Sequence, residues 1–125
     1  PTLSADQIQR YAQLVRRVPV ADHVLRFALQ LARSGRVGRP EAGEQVAKYV
    51  TWGAGPRASQ YLVLAAKARA AMQGRHFASA DDVAAVAAPV LRHRIILNYS
   101  AEADGVTADS IIEGLLQSNP PSPSA

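Results

Sequence analysis

The segment from Gly53 to Gly74 constrains the fold more than any other part of the chain. It opens on Gly53-Ala54-Gly55-Pro56-Arg57-Ala58-Ser59 and continues through an alanine-rich stretch to Met72-Gln73-Gly74. Glycine allows a tight turn, proline is favoured at the first helical position, and glycine commonly ends a helix. The segment therefore reads as a long helix from near Pro56 to Met72 or Gln73. Ala58, Tyr61, Leu62, Ala65, Ala68 and Met72 trace its expected core stripe, with Arg69 beside that stripe and its head in water. Alanine is abundant and aromatic residues make up only 6% of the chain, which favours close-packed helices over sheet. The expected fold class is all-α.

The flanking sequence supports this. Residues 4–18 read as a helix capped by Ser4, with Ile8, Tyr11, Val15 and Val18 as its apolar stripe and Pro19 as its stop. Residues 21–34 form a second helix, burying Val24, Phe27, Ala28 and Leu31 and ending at Gly35. Residues 35–43 carry three glycines and a proline and read as a mobile loop. Residues 44–51 fit a short helix followed by an extended stretch. Ser79 and Asp82 form a capping box for a fourth helix, which Pro89 bends or ends. Ile95-Ile96-Leu97 reads as a short strand pairing with 76–78. Thr107 caps a last helix that buries Ile111, Ile112, Leu115 and Leu116.

With 125 residues and 48% hydrophobic content, the chain suits one domain with a real core. It has no cysteine, which excludes disulfides and thiolate metal sites. No apolar run is long enough for a membrane span, and no signal-peptide pattern is present. Fourteen basic residues stand against six acidic ones up to Arg94, and only four acids follow. A basic body attracts nucleotide or nucleic acid, or is simply a solvated surface. The arginines are spread over three helices rather than one recognition face, which argues against nucleic acid as a partner. His23, His76 and His93 lack metal-site spacing, and helix-dipole placement accounts for Asp81 and Asp82. No metal site is expected.

No complete catalytic set is present: there is no Gly-rich phosphate loop ending in Lys-Ser/Thr. Arg57 stands out because a cation in the first turn opposes the helix dipole. Such an arginine either meets an anion such as phosphate or pairs with a carboxylate, Glu44 or Asp22 being the candidates.

The Gly53–Ser59 motif, the Ala65-Ala66-Lys67-Ala68-Arg69-Ala70 run, Gly74-Arg75 and Ser79-Ala80-Asp81-Asp82-Val83 occur in an order that resembles the C-terminal lid of MoxR-type AAA+ ATPases. Val90-Leu91-Arg92-His93-Arg94-Ile95, Asn98, Ala101-Glu102-Ala103 and Gly105-Val106-Thr107 continue the resemblance, which spans about residues 4–117. It implies a lid of about five helices over residues 1–117 with one short β pairing; the tail at 118–125 reads as disordered from its Pro/Ser composition. Arg57 then corresponds to the sensor 2 arginine that reaches ATP, with Gly53, Gly55 and Pro56 setting its turn. Arg94 belongs to a family motif and either packs on the ATPase core, contacts nucleotide, or caps the preceding helix. Gly55 departs from the serine many relatives carry.

The resemblance also implies that the P-loop and the Mg²⁺-holding acids lie in an N-terminal AAA+ core, outside a chain that begins at Pro1 rather than Met. The fragment alone is expected neither to hydrolyse ATP nor to hold it stably. The parent would be a cytoplasmic, ring-forming, chaperone-like ATPase, working with von Willebrand factor A-type partner proteins. The alternatives are a helical nucleic-acid-binding module and a structural protein-interaction domain in which Arg57 is merely an ion pair.

Overall fold

The computed structural model describes residues 4–35, 43–52, 55 and 57–119. These form α1 (Ala5–Arg17), α2 (Asp22–Ser34), α3 (Glu44–Tyr49), β1 (Val50–Trp52), α4 (Ala58–Met72), α5 (Ala80–Leu91), β2 (Ile96–Leu97), α6 (Tyr99–Ala103) and α7 (Ala108–Ser118). The fold is all-α with one small antiparallel pairing, as expected. The 36–42 stretch and the tail from residue 120 lie outside the described residues.

Three helix starts follow the sequence rule. Ser4, Ser79 and Thr107 each accept a hydrogen bond from the third amide of their helix, and each third residue answers with its own side chain. Reciprocal capping satisfies amides that the helix leaves without a partner. After α4, Gly74 takes φ +72°, a left-handed conformation that glycine adopts without steric cost.

Helix α4 is the centre of the bundle and packs against α1, α2 and α5. It buries Ala58, Leu62, Ala66 and Ala70 completely. The expected stripe is therefore corrected: Tyr61 is 39% and Met72 87% exposed. Nearly every face of α4 is apolar, so periodicity alone does not choose the inner one. Packing does, because the small alanines at 66 and 70 let α5 come close. Val83, Ala87 and Leu91 of α5 meet them, and α2 and α7 close the core with Val24, Ala28, Leu31, Ile111, Ile112 and Leu115.

Other expectations are also corrected. Helix α1 forms but has no buried residue, and Ile8, Tyr11 and Leu14 are all more than half exposed. β2 pairs with β1 (Val50 opposite Leu97, Trp52 opposite Ile96), not with 76–78. Ala78 instead bridges Val20 in parallel. Of the two readings for Pro89, ending the helix is excluded: it lies inside α5, which continues to Leu91. Helix α6 is additional; its signal was Asn98, whose side chain caps Ala101 and also donates to the Lys48 carbonyl.

Arg69 does not simply reach into water. Its Nη1 donates to Oδ1 of the fully buried Asp82 at 2.6 Å. Arg75 donates to both oxygens of the same carboxylate, at 2.6 Å to Oδ2. The Ser79 amide and hydroxyl complete its coordination. Burial pushes the Asp82 carboxyl up, but the bonds from Arg75, Ser79 and Arg69 together hold it well below the usual carboxylate range. One anion thus joins the end of α4, the following link and the start of α5.

Asp82→Asn is expected to destabilise the domain by about 3 kcal/mol, because it strands two guanidinium groups on a neutral amide. A carboxyl with a depressed folded pKa stabilises above its unfolded value of about 3.9 and loses that contribution as pH falls towards its folded value. Denaturant midpoints measured against pH should therefore drop below about pH 4 in the native chain, and with a shallower slope in the variant.

Candidate functional site

Regular helix begins at Ala58, one residue later than expected for Arg57 to stand within α4. Arg57 occupies the N-cap position. Its own dihedrals (φ −88°, ψ −2°) are nevertheless right-handed, and the Ala58 amide donates to the Gly55 carbonyl at 3.0 Å. The chain already turns through Arg57, so a helix boundary drawn one residue later changes little physically.

This helix start differs from the others. Helices α1, α2, α3, α5, α6 and α7 each carry an acidic residue in the first turn; α4 carries none, and no side chain caps it. The positive end of the α4 dipole is thus left uncompensated within the described residues, with a guanidinium added to it. Arg57 is exposed. Among the described residues the ion pairs are Lys48–Asp104, Arg69–Asp82, Arg75–Asp82 and Arg92–Asp109. Neither Glu44 nor Asp22 takes Arg57. At Gly55 a Cβ would meet no heavy atom within 4 Å, so the described part of the domain does not itself demand glycine there. The turn roles expected of Gly53 and Pro56 lie outside the described residues.

The Arg92-His93-Arg94 cluster divides. Arg92 forks onto Asp109, with Nε 2.7 Å from Oδ1 and Nη2 3.2 Å from Oδ2, tying the end of α5 to the start of α7. Arg94 instead lies over the Tyr61 ring, its guanidinium carbon 4.1 Å from the centroid. Its backbone amide donates to the Leu91 carbonyl at 2.9 Å. Tyr61 was expected in the core; it is instead a platform on the α4 surface. Sequence spacing held half the signal, since Tyr61 stands four residues after Arg57 and so on the same helix face. Nothing local ties Arg94 to it. Three other arginines are committed to carboxylates, which thins the basic surface available to nucleic acid. Among the described residues, no group of three His, Asp or Glu side chains is arranged to hold a metal ion. No described helix is long and apolar enough to cross a membrane.

Residues 42–115 match the AAA lid domain family. The chain belongs to this family. Chaperone MoxR1 of Mycobacterium tuberculosis (strain ATCC 25618 / H37Rv) is 34% identical over 98 residues, covering 78% of this chain and 25% of that protein. Protein MoxR of Paracoccus denitrificans is 43% identical over 60 residues, 48% of this chain and 18% of its own length. The crystal structure of a protein inferred to be an ATPase, from Cytophaga hutchinsonii ATCC 33406, superposes with a TM-score of 0.77 at 33% identity. It covers 84% of this chain and 32% of that one. The chain thus spans only about a quarter of the length of such relatives. The resemblance to the lid of a MoxR-family AAA+ ATPase holds, and Arg57, Tyr61 and Arg94 all lie inside the matched lid segment.

The uncompensated lid helix has a thermodynamic consequence. Arg57→Glu should stabilise the fold by about 0.5–1 kcal/mol, since an acid then faces the positive helix end. Thermal melts at low ionic strength should show the gain, and added salt should shrink it.

Proposed function

We propose that this lid closes over ATP bound by an N-terminal AAA+ core of the same protein and supplies Arg57 as its sensor 2 residue. The observation that carries this is Arg57 itself. It is exposed, outside every ion pair among the described residues, and set at the one described helix start that lacks an acid. An ATP γ-phosphate fits that environment: it is polyanionic, and guanidinium forks match its oxygens. The open space at Gly55 leaves room for a close backbone approach. A fixed guanidinium stabilises charge that shifts during phosphoryl transfer, and it registers loss of the γ-phosphate as a change in lid angle.

On this reading the hydrolytic chemistry belongs to the core, with its P-loop and Mg²⁺, and the lid couples nucleotide state to the conformation of a homo-oligomeric ring. The relatives named as MoxR proteins, one of them a chaperone, support a chaperone-like role; von Willebrand factor A-type partner proteins belong to the same proposal.

In the full-length protein, Arg57→Ala should lower ATP turnover by about 10²-fold, the scale of removing one preorganised transition-state donor. Arg57→Lys should recover little of it, because an ammonium lacks the planar fork. Steady-state hydrolysis and nucleotide titration check both; native turnover and affinity in Arg57→Ala would exclude the assignment.

A further inference from the structure

We propose that Arg94, held over the Tyr61 ring, is a second phosphate-contacting arginine that acts beside Arg57 on the bound nucleotide. The proposal rests on the reading of Arg57 above and extends it to a residue that reading leaves idle. The argument begins with helix geometry. The Tyr61 amide donates to the Arg57 carbonyl at 3.1 Å, so the two residues stand one turn apart on one face of α4. Side chains on a helix lean towards its N-terminus. The Tyr61 side chain therefore leaves α4 leaning towards the Arg57 turn. Arg94 lies over its ring, 4.1 Å from the centroid.

A cation–π contact uses the charge of the guanidinium and none of its hydrogen-bond donors. The five N–H donors point outward in the plane of the group and stay free for a planar, bidentate partner. Arg94 is exposed, and it pairs with no carboxylate among the described residues. With Tyr61, Ala65, Ala68, Pro89 and Val90 it lines an open groove of about 550 Å³ between α4 and α5. Its backbone is fixed on one side by the Leu91 carbonyl and on the other by Ile95, which is buried. Much of the entropy usually lost when an arginine binds an anion is thus already spent in the free lid. By contrast Arg92, two residues earlier, is consumed by Asp109. Two guanidinium groups without a carboxylate partner suit an anion with several charged oxygens that can engage both. The phosphate chain of a nucleoside triphosphate supplies such an anion.

The test uses the full-length ATPase and four variants: Arg94→Ala, Arg94→Lys, Tyr61→Leu and Tyr61→Phe. Arg94→Ala should weaken ATP binding about tenfold, measured with a fluorescent ATP analogue, and leave the melting temperature of the apo protein unchanged. Arg94→Lys should recover part of the affinity. Tyr61→Leu should mimic the arginine loss in part, and Tyr61→Phe, which keeps the ring, should behave as native. Native affinity and turnover in Arg94→Ala, alongside impaired Arg57→Ala, would overturn this inference and leave the Arg57 reading standing. Impaired Arg94→Ala alongside native Arg57→Ala would remove the premise and overturn both. A loss of affinity in Arg94→Ala matched by an equal loss in Tyr61→Phe, or by a fall in apo melting temperature, marks a packing role and also overturns it.

Discussion

The Asp82 carboxylate is the constraint on which the rest of the lid depends. It is fully buried, yet it stays charged because Arg69, Arg75 and the Ser79 cap surround it. A buried charge is tolerable only when its partners are in place, so the carboxylate enforces one arrangement of the α4 end, the α5 start and the link between them. That arrangement sets how α5 lies along α4. It therefore also sets where the chain after α5 can deliver Arg94 to Tyr61. The fifteen residues of α4 span about 22 Å at 1.5 Å per residue. One end is clamped by an ion network and the other carries Arg57. A helix fixed at one end and uncompensated at the other suits a lever that reports an anion at its tip.

Much of this was legible in the residues, and the failures share a cause. Capping boxes, stop signals and the amphipathic α2 and α7 were readable because local chemistry decides them. The Gly-Pro-Arg helix start was readable to within one residue. The inner face of α4 was not, because a helix apolar on most sides has no periodic signal and its neighbours choose the face. The same holds for β2. Its apolar run announced a strand, but the partner at Val50–Trp52 is chosen by tertiary packing and by Asn98, which bonds back to Lys48 and Tyr49. Arg69 was misplaced for a related reason. Its sequence neighbours suggest a snorkelling side chain, and only the fold brings Asp82, thirteen residues on, within reach of it.

Arg57 stands out in the sequence because it violates a local rule, its proposed role comes from the family resemblance, and the structure sharpens the violation. Six described helices place an acid where the dipole favours one; α4 places none and adds an arginine. Local and global preferences usually agree in a foldable sequence, and departures collect where function is served. Arg57 and Arg94 both depart. The first opposes a helix dipole, and the second rests on a ring when carboxylates such as Asp109 are used by its neighbour. Stability alone favours an acid at the first site and an ion pair at the second. On the proposed reading, the phosphate chain of a bound nucleotide offsets both costs. A lid of that kind would favour the anion more when closed than when open, which is the differential affinity that any ligand-driven closure requires.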